Sequence, residues 1–209
     1  MRKLPLNVSS FIEIRANNQI YVDKTRYILN LLNTSKYAFL SRPRRFGKSL
    51  TVSTLAALFE GKKELFKGLY IYDKWDFKKY PILWLDFSGI SSDTPQILKQ
   101  SILQKLQKFA AQYDIILPSA EPKDQLGALI DSIAQKHNQP VVILIDEYDK
   151  PILDHLGMDD EHFKIALQNR ELLRKFFGVL KEGTLQTALK FVFVTGISTF
   201  SKVSIFSEW

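Results

Sequence analysis

The sequence predicts an α/β protein in which a mostly parallel sheet lies between two layers of helices, and two observations lead to this fold class. Short apolar runs alternate along the chain with stretches of helical periodicity, which is typical of successive β-α-β units. The run at residues 141–145, Val-Val-Ile-Leu-Ile, is apolar throughout and rich in β-branched residues, as a strand buried on both faces requires. We therefore expect a three-layer αβα sandwich.

The composition fits one globular domain that spans residues 1–209. The chain is 45% hydrophobic and 24% charged, which suffices for a buried core and excludes extensive disorder. It has no cysteine, so a disulfide framework, thiolate catalysis and a cysteine-based zinc site are excluded. No apolar run has the length of a signal peptide or a membrane span, and we expect a cytoplasmic protein without membrane contact.

In the first part of the chain, the sequence predicts one helix and one buried strand. Residues 1–25 indicate irregular or short-strand structure, and Asp23 suits the N-cap of a helix over residues 24–32. The aromatic-rich run at residues 37–40 predicts a buried strand, which is interrupted at residues 41–43.

The remaining elements alternate regularly. A helix is expected over residues 48–60, with Gly61 at its end and one apolar face formed by Leu50, Leu55, Leu58 and Phe59. Residues 96–113 predict the clearest amphipathic helix, with Ile97, Leu98, Ile102, Leu106 and Phe109 on one face. The other predicted elements are a strand at 81–87, a loop at 117–122, a shorter helix through 126–133, a strand at 141–145, a helix at 163–181 and a strand at 191–194.

A phosphate-binding loop is predicted between the first strand and the helix that follows it. Residues 41–49 read Ser-Arg-Pro-Arg-Arg-Phe-Gly-Lys-Ser, and Gly47, Lys48 and Ser49 match the end of the P-loop pattern G-x-x-x-x-G-K-S/T. Gly47 lets the backbone approach the phosphates, Lys48 would contact the β- and γ-phosphates, and Ser49 would bind Mg²⁺. The N-terminus of the helix presents N–H groups to the anion.

Arg42 occupies the position of the first glycine in this pattern, so the strict motif fails by one residue. An arginine there changes how the loop surrounds the phosphates. Arg42, Arg44 and Arg45 can add bidentate phosphate contacts that a glycine-rich loop does not make. Phe46 and Leu50 complete the predicted nucleotide-binding segment.

An acidic pair, Asp146 and Glu147, ends the apolar run at 141–145 and lies about one hundred residues after Lys48. At the carboxyl end of a parallel strand beside a phosphate loop, the two carboxylates have distinct tasks. Asp146 would hold Mg²⁺ directly or through water. Glu147 would orient and deprotonate an attacking water, so Glu147 and Lys48 are the predicted catalytic residues.

Thr195 follows the last predicted strand and is the remaining candidate nucleotide-binding residue, with Ser198 and Thr199 shortly after it. Its hydroxyl would sense the γ-phosphate or position the water; alternatively, it satisfies the backbone of its own loop. Asp86 ends the strand at 81–87, where it either lies beside the site or caps a turn.

Positive charge is concentrated in the first part of the chain. Residues 1–80 contain 16 basic and 6 acidic residues, whereas residues 81–209 contain 13 and 16. Such an excess serves phosphates of nucleotides or nucleic acid, or is simply a solvated basic surface. The one tight cluster comprises Arg42, Arg44, Arg45 and Lys48, and the sequence contains no known nucleic-acid-binding motif.

Six segments together resemble the bacterial AAA-ATPase-like family, whose members often carry a C-terminal PD-(D/E)xK nuclease-like domain. The segments are residues 21–25 (Tyr-Val-Asp-Lys-Thr), 39–50, 58–61, 66–69, 143–149 and 194–198. The string Arg-Pro-Arg-Arg-Phe-Gly-Lys-Ser is the family's own version of the P-loop. Arg42 at the first glycine position is therefore what the resemblance predicts.

The resemblance implies a P-loop NTPase core of the additional-strand, catalytic-glutamate type that uses ATP and Mg²⁺. It also implies that the chain is the N-terminal portion of a longer protein, truncated before the lid and the nuclease-like domain. Residues 21–25, together with Phe11 or Tyr27, would line the adenine side of the site.

The sequence is compatible with three functions. The first is Mg²⁺-dependent ATP hydrolysis that powers or regulates a C-terminal effector or nucleic-acid-processing domain. The second is a nucleotide-binding switch or scaffold without turnover, and the third is a nucleic-acid-binding module that uses the basic first 80 residues. Assembly into a homo-oligomer is compatible with each.

Overall fold

The computed structural model describes residues 2–197. Four strands in this range form a parallel sheet. From one edge of the sheet to the other, they lie in the order first, fourth, third and second along the chain. The strands are β1 (Tyr37–Ser41), β2 (Ile82–Asp86), β3 (Val141–Asp146) and β4 (Leu189–Gly196). The predicted α/β class with a parallel sheet is confirmed, and the arrangement is compatible with a P-loop-like fold.

Helices cover both faces of the sheet. They are α1 (Phe11–Ala16), α2 (Thr25–Thr34), α3 (Lys48–Phe59), α4 (Pro95–Gln112), α5 (Pro122–His137), α6 (Lys150–Leu153) and α7 (Asp160–Gly178). Short 3₁₀ turns are found at Lys63–Phe66, Val179–Lys181 and Gly183–Leu185. The core is divided into two layers, because α4, α5 and α7 pack on one face of the sheet and α1, α2 and α3 on the other.

Strand β3 lies inside the sheet and every one of its side chains is buried, as its apolar sequence predicts. Val141, Ile143 and Ile145 point into the layer of α4, α5 and α7. Val142 and Leu144 point into the layer of α1, α2 and α3. The alternation follows from the two-residue period of a strand, and it explains why the run contains no polar residue before Asp146.

The prediction of irregular or strand structure for residues 1–25 is wrong at α1. The hydroxyl of Ser10 accepts a hydrogen bond from the Glu13 N–H at 3.2 Å and caps the helix. Phe11 and Ile14 are both buried, and Phe11 packs in the core cluster that contains the buried residues of α3. A six-residue helix shows too little periodicity to be recognised, and packing stabilises it more than propensity. The spacing of Ser10 and Glu13, which is that of a capping box, was the available signal.

Asp23 bonds to the start of α2, although it is not the N-cap residue that the sequence indicates. Its Oδ1 accepts hydrogen bonds from the N–H of Thr25, at 2.8 Å, and from the Thr25 hydroxyl. The helix nevertheless begins at Thr25, and Lys24 occupies the N-cap position. The carboxylate also accepts the Tyr70 N–H at 2.7 Å, so it joins the start of α2 to a distant loop.

Two predicted apolar faces differ from the observed ones. Residues 52–59 of α3 are all buried, so the prediction of a single apolar face is wrong; α3 is enclosed by the sheet and by α1. In α4 the buried stripe consists of Leu98, Ile102, Leu106 and Ala110, whereas the predicted member Ile97 is exposed.

Several element ends also differ from the predicted ones, because capping residues extend the elements. Helix α5 begins at Pro122, in the predicted loop, since proline fits the first turn of a helix. Helix α7 begins at Asp160 because Asp159 Oδ1 accepts the His162 N–H at 2.8 Å. The short helix α6 was not predicted. In the described part of the chain, no helix combines the length and apolarity needed to cross a membrane.

Candidate functional site

The parallel strands bring the phosphate loop and the acidic pair to one edge of the sheet. Strand β4 lies between β1 and β3, and its register aligns Gly196 with Ser41, the last residue of β1. On the other side of β3, Asp146 is aligned with Asp86. The residues that follow these strands therefore lie close together, although about one hundred positions separate Asp146 from Lys48 in the sequence.

The predicted phosphate loop joins β1 to α3 and contains two residues with left-handed backbone conformations. Gly47 has φ +76° and occupies the N-cap of α3, where a Cβ would meet no other atom within 4 Å. A side chain would therefore have room at this position, and glycine is favoured there because of the positive φ. Arg45 has φ +67°, which is costly for a residue with a long side chain. Alternation of right- and left-handed residues turns successive N–H groups towards one point, as anion-binding loops require.

Lys48 is held within its own loop. Its side chain is 6% exposed, and its ammonium group donates hydrogen bonds to the carbonyl oxygens of Arg42 and Pro43, both at 3.0 Å. The lysine is thus withdrawn from solvent at the N-terminus of α3. A ligand that binds there has to replace one or both of these contacts with its own oxygens.

A cavity of ≈ 590 Å³, which we call the phosphate cavity, opens between the loop and the end of β3. Its lining contains three cationic side chains, Arg44, Arg45 and Lys48, together with Ser49 and Glu147. Gly47 and Leu50 also line it, so six residues of the predicted nucleotide-binding segment and the predicted catalytic acid face one space. The excess of positive charge makes this cavity suitable for an anion.

A second cavity of ≈ 830 Å³, which we call the apolar cavity, lies on the other side of the loop. Gly47 and Leu50 line both cavities, so the two spaces adjoin at the start of α3. Arg42 and Phe46 line the apolar cavity together with Tyr27. Tyr27 and Phe46 are 74% and 65% exposed as whole residues, so their aromatic side chains are accessible to a flat ligand.

The segment that the resemblance places on the adenine side contributes to the apolar cavity. Tyr21, Val22 and Lys24 line it, as does Tyr27. Phe11 is instead completely buried, with its ring centroid 5.0 Å from that of Tyr21 in an edge-to-face arrangement. Phe11 therefore supports the wall of the cavity from behind.

Asp146 is buried and fixed in position at the end of β3. Its side chain is 3% exposed, and its Oδ1 accepts the Glu147 N–H at 3.1 Å and a hydrogen bond from the Thr195 hydroxyl. Thr195 is itself completely buried in β4. The Thr195 hydroxyl thus binds the acidic pair and does not satisfy its own loop backbone. Both contacts use Oδ1, so Oδ2 is the oxygen available to a cation.

Thr195→Val is expected to destabilise the protein by about 1–3 kcal/mol, because the isosteric change removes one hydrogen bond from a buried carboxylate. Urea unfolding measures this loss as a lower transition midpoint. Thr34→Val, which alters an exposed threonine at the end of α2, is the matched control and is expected to change stability by less than about 0.5 kcal/mol. Equal shifts in the two variants would contradict the stabilising role of Thr195.

Glu147 combines an unusual backbone conformation with a perturbed carboxyl group. Its φ is +51°, a left-handed conformation. Burial raises the pKa of Glu147 above the ordinary glutamate value, and the neighbouring carboxylates of Asp146 and Asp86 raise it further. Lys48 and Lys150 partly offset this increase in pKa. A carboxylate with a raised pKa is a stronger base, which suits a group that removes a proton from water.

Two hydrogen bonds join the chain after β3 to the end of β4, next to the acidic pair. The Tyr148 N–H donates to the carbonyl oxygen of Thr195 at 3.2 Å, and the Ile197 N–H donates to Asp149 Oδ2 at 2.8 Å. Tyr148 and Asp149 are both buried. Gly196 lies against them so closely that a Cβ on this glycine would be 2.3 Å from Tyr148 Cε1.

One part of the site was not singled out from the sequence. Residues 7–9 line the phosphate cavity, and no local pattern marks them because they lie far from the loop at residues 42–49 in the sequence. Asp86 takes both roles considered for it: it lies next to Asp146 in register, and it accepts the Ser88 N–H at 2.8 Å. Ser198 and Thr199 lie outside the described residues.

The predicted metal-binding residues do not form a complete metal site without a ligand. Between residues 2 and 197, no group of three or more histidine, aspartate or glutamate side chains converges in a way that could hold a metal ion. Ser49 and Asp146 supply one hydroxyl and one carboxylate. A cation bound by them would need further oxygen ligands from water or from a bound phosphate.

The protein is α/β with a parallel sheet, and its succession of strand, loop and helix around residues 37–59 is compatible with a P-loop-like fold. The sequence pattern of the AAA-ATPase-like family, described as Predicted AAA-ATPase, matches residues 5–206, and the chain belongs to this family. It is also similar to a protein of Azotobacter chroococcum mcd 1 described as an uncharacterized protein in the vnfD 5′ region. The two are 39% identical over 208 residues, which is 99% of this chain and 39% of the relative's length.

Proposed function

We propose that this chain is an ATP-binding domain that hydrolyses ATP with the help of Mg²⁺. One observation carries the proposal: Lys48, Ser49 and Glu147 line the same cavity at the carboxyl edge of the sheet. Strand β4 lies between the loop strand and the Asp-Glu strand, as expected for a P-loop NTPase of the additional-strand, catalytic-glutamate type. Membership of the AAA-ATPase-like family supports the same activity.

The two adjoining cavities suit a ligand with one anionic and one flat apolar part. The phosphates would occupy the phosphate cavity, where Arg44, Arg45 and Lys48 supply positive charge and the N-terminus of α3 supplies N–H groups. The base would enter the apolar cavity between aromatic side chains such as those of Tyr27 and Phe46. Gly47, which lines both cavities, marks the place where the nucleotide passes from one to the other.

The oxygen atoms at the site fit Mg²⁺, which prefers hydroxyl, carboxylate, phosphate and water oxygens. Ser49 and Asp146 would hold the ion, and Thr195 keeps the Asp146 carboxylate oriented through Oδ1. Bound Mg²⁺ neutralises charge on the phosphates.

Hydrolysis would transfer the γ-phosphoryl group to water. Glu147 takes a proton from the water, whose oxygen forms a bond to the γ-phosphorus while the bond to the β–γ bridging oxygen breaks, so that ADP leaves. Lys48 stabilises the negative charge on the phosphate oxygens, once its contacts with the carbonyl oxygens of Arg42 and Pro43 are exchanged.

The activity of the whole protein is a wider proposal, because the chain spans 39% of the length of its relative. We propose that the ATPase domain powers or regulates a C-terminal effector, of which a PD-(D/E)xK nuclease-like domain is the form that the family resemblance implies. Nucleic acid would be the partner of such an effector, with homo-oligomeric assembly and a cytoplasmic location.

Calorimetric titration of ATP, ADP and GTP with Mg²⁺ into the chain tests the assignment. We expect adenine-nucleotide binding that Lys48→Ala weakens about 100-fold, because contacts between a lysine and phosphates are charge-assisted. Lys123→Ala, which removes an exposed lysine of α5, is the control and is expected to bind normally.

Three results would contradict parts of this proposal. A folded wild-type chain that binds no nucleotide overturns the assignment, as does unchanged affinity in Lys48→Ala. Tight binding without any release of phosphate overturns the hydrolytic step and favours a nucleotide-dependent switch. Salt-sensitive binding of nucleic acid without nucleotide binding favours the nucleic-acid-binding module.

A further inference from the structure

The N-terminal segment passes over the junction of the two cavities. We call residues 4–9 the N-terminal strap. Leu4 and Pro5 line the apolar cavity, whereas Asn7, Val8 and Ser9 line the phosphate cavity. The strap therefore runs beside both parts of the space in which the proposed function places a nucleotide.

Hydrogen bonds fix the strap at both ends. Before it, the carbonyl oxygen of Lys3 accepts the Ile20 N–H at 2.9 Å. After it, the Phe11 N–H donates to Ser53 Oγ at 2.9 Å in a buried contact, and the Phe11 side chain is itself completely buried. Ser53 belongs to α3, the helix that begins at the phosphate loop. The strap is thus positioned directly relative to the N-terminus of this helix.

Asn7 lies in a turn and has a left-handed backbone conformation. Its φ is +58°, and the Leu6 N–H beside it donates to the carbonyl oxygen of Leu4 at 3.0 Å. Asparagine tolerates this left-handed conformation better than other residues with side chains. The Asn7 side chain is exposed and lines the cavity that also contains Lys48 and Glu147.

We propose that Asn7 is a further phosphate-binding residue, whose carboxamide N–H₂ group donates a hydrogen bond to the terminal phosphate of a bound nucleoside triphosphate. This inference rests on the proposed function. Leu4 and Pro5 line the apolar cavity, in which the base of the nucleotide would lie. Asn7 lines the phosphate cavity and would therefore lie at the phosphate end of the ligand. Glu147 lines the same cavity, and the reacting γ-phosphate lies beside that carboxylate in the proposed reaction.

The chemistry of an amide suits this position. The phosphate cavity contains cationic side chains and one carboxylate, Glu147. The carboxamide of Asn7 is neutral, and it donates to a phosphate oxygen while its own oxygen can accept from water. A diphosphate lacks the group that Asn7 would contact. Asn7 therefore contributes to discrimination between ATP and ADP, a contribution that Lys48 does not make alone.

Titrations of ATP and ADP into three variants test this inference. Asn7→Gly keeps the left-handed backbone and removes the carboxamide, and it is expected to weaken ATP binding about tenfold while ADP affinity stays within about twofold. Asn7→Asp keeps the shape but adds negative charge, so it is expected to weaken ATP binding further. Asn18→Gly is the control, because Asn18 also has a positive φ, +50°, but lies in the turn after α1.

The inference is overturned if Asn7→Gly binds ATP with wild-type affinity. It is also overturned if Asn7→Gly loses ATP and ADP affinity by the same factor, since that result indicates a purely structural strap. Lys48→Ala in the same series separates the two proposals. Loss of all binding in Lys48→Ala with no effect of the Asn7 variants retains the nucleotide site and rejects the role of Asn7, whereas a wild-type chain that binds neither nucleotide rejects both.

Discussion

Gly196→Ala is expected to destabilise the protein by about 3 kcal/mol, at the upper end of what overpacking of a core costs. The new Cβ would lie 2.3 Å and 2.7 Å from two ring carbons of Tyr148 and 2.9 Å from Asp149 Cγ. Neither neighbour can move freely. Tyr148 is completely buried and packs edge-to-face on Phe39 with ring centroids 5.5 Å apart, while Asp149 accepts the Ile197 N–H.

Thermal unfolding measures this effect. For a chain of this size, about 3 kcal/mol corresponds to a decrease of roughly 6–12 °C in the midpoint. Gly178→Ala is the matched control: Gly178 has a helical backbone, with φ −55° and ψ −33°, and a Cβ there meets no atom within 4 Å. It is expected to unfold at or slightly above the wild-type temperature. A Gly196→Ala midpoint equal to that of the control would show that the close contact with Tyr148 is relieved at no cost.

Glu147→Gln is expected to reduce ATP hydrolysis about 10²–10⁴-fold while ATP affinity stays close to that of the wild type, because glutamine keeps the shape of the side chain but does not accept the proton of the attacking water. Phosphate release at saturating ATP measures the loss, and calorimetry on the same preparation measures affinity. Glu64→Gln, which changes an exposed glutamate in the 3₁₀ turn Lys63–Phe66, is expected to hydrolyse ATP normally. Full hydrolysis by Glu147→Gln would exclude Glu147 as the base.

The raised pKa of Glu147 adds a dependence on pH with a definite sign. The carboxylate accepts a proton only when it is ionised, so hydrolysis is expected to fall as the pH decreases through a value above the ordinary glutamate pKa. By linkage, ionisation of a group whose pKa is raised by folding costs stability above that pKa and nothing below the unfolded value. Glu147→Gln is therefore expected to raise the unfolding temperature at pH 7 but not in acid. A lower midpoint at pH 7 would contradict this.

Patterns confined to one segment allowed most of the fold to be predicted. Strand β3 could be recognised because burial on both faces leaves a continuous apolar run, and α4 because a long helix repeats its apolar positions several times. The helices α1 and α6 are too short for such repetition, and their stability depends on packing against distant residues. The burial of α3 on all sides could not be predicted either, because it depends on the sheet and on α1, which enclose the helix.

In the candidate site, too, some residues belong to local sequence motifs, whereas others are positioned by contacts between distant parts of the chain. Lys48 and Glu147 could be singled out as candidates because each stands in a local motif, and the parallel sheet brings the two motifs to one edge. Asn7 belongs to no motif, and its place beside the phosphate cavity follows from a hydrogen bond between Phe11 and Ser53 that spans 42 residues. The attachment of Thr195 to Asp146, across 49 residues, likewise depends on strand order.

The positive φ angles of Arg45 and Glu147 have a consequence for the engineering of this domain. Glycine adopts both conformations more easily, so Arg45→Gly and Glu147→Gly would each recover up to about 1 kcal/mol of backbone strain. A screen for heat-resistant variants that rewards folding alone will therefore favour glycine at these two positions. Each such gain removes a guanidinium or a carboxylate from the phosphate cavity. Directed evolution of this domain has to select for thermal tolerance and the proposed nucleotide turnover together, since selection for the first alone would erode the second.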